Sequence, residues 1–316
     1  MAVWHWQCQN KVVNRSVVSM TISLLIAASK CPADVNLDFV HLSWLKIFFL
    51  GIVQGITELL PISSTAHLRV VPALLGWEDP GSAFSAAMQL ASFIAVVSYF
   101  WHDIKSLTGA TVKAITDKDY ESHDFRLVMG ILVGTLPIVI AGILLSHSLN
   151  KENSPLRQLV VIGAACIVMS VLLASAEKFG KRDRAFSELS LKDGILVGIA
   201  QAFALIPGVS RSGSTLTASL FLGMERETAA KFCFLLGLPA ITLAGAKELH
   251  LLRACLDLQG WTILLFGLAV ASISAFVAIY GLLHYLEKQS TWIFVFYRFF
   301  MGVFLIVGVM TGFLHN

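Results

Sequence analysis

The chain has 316 residues, 56% of them hydrophobic and 14% charged, with a formal net charge of +3 and a mean hydropathy of +0.76. Soluble globular domains carry roughly 25% charged residues, so the composition excludes a soluble domain and describes an integral membrane protein. The cations are few and sit mostly between apolar runs, which excludes nucleic acid as a partner and leaves them to set membrane orientation.

Residues 1–42 differ from the rest. Lys11 and Arg15 precede a 14-residue, mostly apolar stretch, SVVSMTISLLIAAS, that ends in small residues. It has the size and flanks of a signal h-region or a short anchor, and translation starting at Met20 is the alternative. From residue 43 onward apolar runs alternate with polar breaks. The first break lies in GIVQGITELLPISST, residues 51–65, and an apolar run begins at Phe84. The polar loop over 101–126 carries four Lys or Arg, runs over 129–147 and 156–176 follow, and the loop over 177–193 carries five more. Two spans separate the loops, so both fall on one side, cytoplasmic by the Lys/Arg rule, with Lys151 and Arg157 outward.

A second break lies in GIAQAFALIPGVSRS, residues 198–212, and apolar runs start at Phe232 and cover 260–283 and 292–314. These runs suit helices that cross a hydrocarbon core of about 30 Å rather than barrel strands, which need only ~9 to 11 residues of alternating polarity. Tryptophans 77, 101, 261 and 292 mark span ends, as interface anchors do. The run FVFYRFF, residues 294–300, reads as packing or lipid-facing surface, although Arg298 within it needs a partner. Cys8, Cys31, Cys166, Cys233 and Cys255 show no CxxC spacing, so neither a disulfide framework nor a zinc site is expected.

The two breaks resemble each other. Each reads Gly-Ile-x-Gln, a short apolar stretch, Pro and a hydroxyl cluster, at an offset of about 147 residues. Such self-similarity predicts structural repeats, about 43–147 and 190–290, with a final span at 292–314. The apolar stretch before Pro207 is too short to cross, so it enters from inside and returns, while the stretch before Pro61 enters from outside. The expected fold is an all-α polytopic membrane protein of inverted-topology repeats, with two re-entrant helical hairpins meeting near the bilayer midplane.

Gln54 and Glu58 are four apart and share one helical face. A carboxylate deep in an apolar run costs ~2.5 to 3.5 kcal/mol on insertion scales and so faces a cavity or a partner. Ser63, Ser64, Thr65 and His67 follow Pro61. In the second break Arg211 stands between Ser210 and Ser212, with Ser214 and Thr215 beyond, a set suited to phosphate oxygens at a helix N-terminus. The acid and a phosphate held in that cradle would repel each other without a divalent cation between them. The inventory points to metal-assisted phosphoryl chemistry on a membrane substrate. A purely structural Glu58–Arg211 ion pair is the competing reading, and it leaves the hydroxyls and His67 unexplained.

At these residues the chain closely resembles the undecaprenyl-diphosphatase, or bacitracin-resistance, family. QGITELLPISSTAHL is similar to its acidic motif and PGVSRSGST to its arginine motif. The resemblance implies hydrolysis of undecaprenyl diphosphate in the bacterial inner membrane, Mg²⁺ or Ca²⁺ as cofactor, and a site open to the outer face. It assigns Glu58 and Gln54 to the metal, Ser210, Arg211, Ser212 and Thr215 to the diphosphate, and Glu58, Ser64, His67 and Arg211 to catalysis. The nucleophile stays open between Ser64, His67 and water. Many members have Glu where this chain has Gln54. A homodimer stays open, as does transport of a prenyl phosphate, which the same cradle would serve.

Overall fold

The computed structural model describes Cys31 and residues 35–149 and 155–314, the side chains of 146–149 excepted. The apolar stretch near the N-terminus, Cys8 and Lys151 lie outside the described residues. The described chain is all-helical. Eleven α-helices run in order: α1 (Trp44–Leu59), α2 (Ser64–Leu75), α3 (Gly81–Tyr99), α4 (Trp101–Asp117), α5 (His123–Leu149), α6 (Leu159–Phe179), α7 (Leu191–Ala202), α8 (Arg211–Phe221), α9 (Arg226–Leu252), α10 (Leu258–Lys288) and α11 (Trp292–Met310).

Six of them, α3, α5, α6, α9, α10 and α11, are long and apolar enough to cross a membrane, and the chain is a multi-pass membrane protein. The expected spans at 129–147, 156–176, 260–283 and 292–314 fall on α5, α6, α10 and α11. By contrast α2, α7 and α8 have 12, 12 and 11 residues, about 18 Å of helix each, well short of the hydrocarbon core. Proline accounts for the interruptions. Leu60, before Pro61, is extended (ψ 145°) and ends α1 because the proline ring disfavours a helical residue in front of it. Ile206, before Pro207, is likewise extended.

Packing follows the small residues. α5 packs on α7, α1 on α10, α6 on α11, and α3 on α9 and α10. On the α5–α7 seam a Cβ at Gly198 would lie 2.0 Å from the Gly134 carbonyl oxygen, and one at Gly194 would lie 2.3 Å from that of Gly130. Only glycine permits that approach, and close backbone contact is what drives helices together in lipid.

The polar loops meet at one end. Lys231 reaches Asp103 at 2.6 Å and lies over the Phe186 ring, while the Arg184 fork grips Asp193 at 2.7 and 2.8 Å. Glu177, 2% exposed, is the knot of this end. It accepts from both Arg226 nitrogens, from Arg182 at 2.9 Å and from Thr291 Oγ1 at 2.8 Å, tying α6 to the starts of α9 and α11. Removing one partner of such a buried pair costs roughly 3 kcal/mol. Glu177→Ala therefore lowers the unfolding midpoint in detergent by several degrees, and an unchanged midpoint in scanning fluorimetry contradicts this account of the knot.

At the opposite end the cysteine expectation fails. Cys31 and Cys255 form a disulfide across a sequence separation of 224. CxxC is a local signal, and this pair meets only because the segment before α1 folds beside the α9–α10 turn, where Val40 touches Gly260 and Phe39 stacks near Phe84. Cys166 and Cys233 are buried and free, the packing residues they were expected to be.

Candidate active site

Both breaks pass through a left-handed residue. Ser63 (φ 74°) leads into α2 and Ser210 (φ 69°) into α8, at matching motif positions. Such backbone costs a non-glycine residue about 1–3 kcal/mol and persists only where surrounding contacts enforce it. Ser210 Oγ accepts from Gly213 N at 3.1 Å, capping α8. Gly208 (φ 93°) supplies the remaining turn, a conformation cheap only for glycine.

The breaks converge on one carboxylate. Glu58, in the last turn of α1, accepts from Gln54 Nε2 at 3.0 Å and from Ser64 Oγ at 2.5 Å on one oxygen. Its other oxygen accepts from Arg211 Nη2 at 2.7 Å. The two charged side chains are 7% and 14% exposed. Donors from α1, α2 and α8 thus meet on a single acid; the direct Glu58–Arg211 contact is the ion pair named by the competing reading, and a charge-assisted bond of this kind is about twice as strong as a neutral one.

The remaining candidates separate by what they touch. Ser212 Oγ donates to the Leu60 carbonyl at 2.9 Å and reaches the Glu58 carbonyl at 3.2 Å, stitching the breaks together. Thr215, fully buried, bonds back to the Arg211 carbonyl at 2.8 Å. His67 contacts the Ser63 carbonyl through Nδ1 at 2.7 Å and Tyr297 Oη through Nε2 at 2.5 Å. A carbonyl only accepts, so Nδ1 carries a proton. Both ring nitrogens are engaged away from Glu58.

A cavity of about 540 Å³ opens between α5 and α9. Glu58, Ser63, Ser64, Ser210 and Arg211 form its polar floor, while Ile138, Val139 and Ile143 of α5 and Ala240 and Leu243 of α9 form apolar walls. Pro137 and Pro239 lie inside the two continuous wall helices beside it. Lys247, a further residue of the α9 stripe 240–243–247, and Gln89 of α3 complete the lining. Apolar walls over a compact polar floor suit an amphiphile with a charged head.

Residues 47–304 match the family model described as bacitracin resistance protein BacA. The chain belongs to the BacA family. Relatives named undecaprenyl-diphosphatase bear this out. That of Mesorhizobium japonicum, numbered 2, is 60% identical over 263 residues, 83% of this chain and 100% of that protein. Those of Nostoc and Trichormus variabilis are 52% and 48% identical over 307 residues, 95% of this chain and 96% of each protein. The BacA match contains both breaks and most of α11.

Three lining or supporting residues were not singled out from sequence. Gln89 and Lys247 carry no motif, and Tyr297 sits inside the aromatic run read as packing or lipid-facing surface. Phe296 and Phe300 of that run are indeed exposed, whereas Arg298 is buried on backbone carbonyls. An arginine within a span was the one available signal.

Proposed function

We propose that this BacA member hydrolyses undecaprenyl diphosphate to undecaprenyl phosphate and orthophosphate, recycling the lipid carrier of peptidoglycan synthesis and conferring bacitracin resistance. The observation that carries this is the Ser64–Glu58–Arg211 cluster on the floor of an apolar-walled cavity. The undecaprenyl-diphosphatases that align with nearly the whole chain support it.

Glu58 takes the Ser64 proton as Oγ attacks the terminal phosphorus, the bond from that phosphorus to the bridging oxygen breaks, and Glu58 hands the proton to that departing oxygen and is a carboxylate again. Undecaprenyl phosphate leaves. Water, deprotonated by Glu58, then cleaves the phosphoserine and releases orthophosphate. Arg211 keeps further N–H donors beyond the one on Glu58. These, Ser210 and the free N–H groups at the start of α8 neutralise the equatorial oxygens. His67, held between Ser63 and Tyr297, orients α2, while Ser212 and Thr215 position Arg211.

A divalent cation, Mg²⁺ or Ca²⁺, fits this floor. Ser63 Oγ, which lines the cavity with Glu58, and Gln54 Oε1, whose amide nitrogen bonds Glu58 from outside the lining, are buried without a hydrogen-bond partner, and with the Glu58 carboxylate they offer a hard oxygen set. Among the described residues no group of three or more His, Cys, Asp or Glu could hold a metal, so phosphate oxygens would complete the shell, as is usual for Mg²⁺. When bound, the cation supplies charge neutralisation at the diphosphate. Gln54 would serve through its amide oxygen.

The same reading makes α1–α2 and α7–α8 re-entrant hairpins of opposite orientation in inverted repeats. Lys46, near the start of α1, lies 5.8 Å over the Trp77 ring just beyond α2. Arg184 holds both Asp193 at the start of α7 and the Leu222 carbonyl after α8. The end rich in Lys and Arg is cytoplasmic. The opposite end, with the Cys31–Cys255 disulfide, faces the oxidising side of a bacterial inner membrane, and the cavity opens there.

Purified protein in detergent with Mg²⁺ releases one orthophosphate per undecaprenyl diphosphate. EDTA stops the release and added Mg²⁺ restores it. No release from the wild-type protein at any divalent concentration overturns this reading.

A further inference from the structure

Arg298 is the largest side chain that is fully buried, at 1% exposure, and its partners are carbonyl oxygens rather than a carboxylate. Nη1 donates to Pro61 O at 3.0 Å, and Nη2 donates to Gly208 O at 2.8 Å and to Val209 O at 2.9 Å. One guanidinium thus grips both breaks. Its acceptors lie two residues before Ser63 and directly before Ser210, the two left-handed serines.

The seating of α11 places it there. Ser170 of α6 donates to Val295 O at 2.8 Å. One turn beyond Arg298, Gly302 crosses Gly163 so closely that a Cβ on Gly302 would lie 2.5 Å from the Gly163 carbonyl oxygen. Gly213 of α8 leaves room for the guanidinium, because a Cβ there would meet Arg298 Nη1 at 2.5 Å. Only a planar fork spans acceptors from two loops at once, and an ammonium on a single stem cannot.

We propose that Arg298 is a positioning residue for the reaction: it holds the breaks in register, so that Ser64 of one and Arg211 of the other reach the same carboxylate. It touches neither the substrate nor the reacting atoms. The inference rests on the phosphatase reading above. Misplacement of reacting groups by about 1 Å costs roughly 10²-fold in rate, and that is the loss expected when the clamp is removed.

The test measures kcat per folded molecule, from monodisperse protein in detergent, with undecaprenyl diphosphate and Mg²⁺. Arg298→Ala lowers kcat roughly 10²-fold, and Arg298→Lys fails to restore it. Methylguanidinium added to Arg298→Ala recovers at least a tenth of the lost rate and methylammonium does not, a pattern that a general packing defect would not give. Gly213→Ala, whose Cβ would meet Arg298 Nη1 at 2.5 Å and Ser210 Oγ at 3.3 Å, lowers kcat in the same direction, and a loss larger than that of Ser210→Ala marks the displaced arginine and decides the matter if Arg298→Ala does not fold. Wild-type phosphate release with Gly213→Ala and the folded Arg298 variants near the wild-type rate overturns the clamp alone. A wild-type protein that releases no phosphate overturns the phosphatase reading first.

Discussion

Ser64→Ala reduces orthophosphate release from undecaprenyl diphosphate by roughly 10⁴-fold, the scale seen when a catalytic hydroxyl and its base are uncoupled. The reason lies in a single short contact: Ser64 Oγ donates to the Glu58 carboxylate at 2.5 Å, and among the described residues no other hydroxyl does so. Ser63 Oγ has no partner at all, and Ser212 Oγ is committed to the Leu60 carbonyl. Glu58→Gln keeps the shape and removes the base, and general base catalysis is worth about 10² to 10⁴, so it falls within or just above the Ser64→Ala level. Because nucleophile and base act as a unit, the double variant is scarcely worse than either single one. His67→Ala falls less, about tenfold, since its nitrogens serve Ser63 and Tyr297. Rapid quench with substrate labelled in the terminal phosphate captures a phosphoserine on the tryptic peptide bearing Ser64. If Ser64→Ala stays within tenfold of wild type and no phosphoserine forms, water attacks directly and Glu58 serves it instead.

How much of this was legible before the coordinates differs from element to element, for physical reasons. The spans were legible because lipid leaves few alternatives to a continuous apolar helix. The two breaks were legible because Pro61 and Pro207 each stand before a cluster of hydroxyls, where Pro137 and Pro239 stand in apolar runs and lie inside α5 and α9, and because Glu58 and Arg211 had no inexpensive explanation inside an apolar run. The walls of the cavity were not, since Ile138 and Leu243 lining a cavity look the same in sequence as leucines facing lipid. Nor could sequence separate Ser210, which borders the cavity, from Ser212 and Thr215, which bond to backbone: the residue types are equivalent and only a turn of helix distinguishes them. The Cys31–Cys255 disulfide and the Arg298 carbonyl contacts join segments far apart in the chain. Neither carries any local spacing from which it could have been inferred.

Arg211→Ala lowers kcat/KM on the order of 10³-fold, the low end of what a guanidinium contributes to phosphoryl transfer, and Arg211→Lys recovers little, because one ammonium cannot hold Glu58 and a phosphate together. Activity alone does not separate this from a purely structural ion pair, since removing either partner of a buried pair strands the other and costs about 3 kcal/mol. The double variant Glu58→Gln/Arg211→Met does separate them. With both charges gone the stranded-charge penalty vanishes, and its unfolding midpoint in detergent returns to or above the wild-type value, as neutral replacements of buried pairs tend to do. If the pair were only structural, function would return with stability. The cluster described here requires the opposite, a double variant that is stable, correctly inserted and silent toward undecaprenyl diphosphate. Orthophosphate release from it at a tenth of the wild-type rate or more removes Glu58 and Arg211 from the chemistry and leaves the pair as a fastener between two breaks.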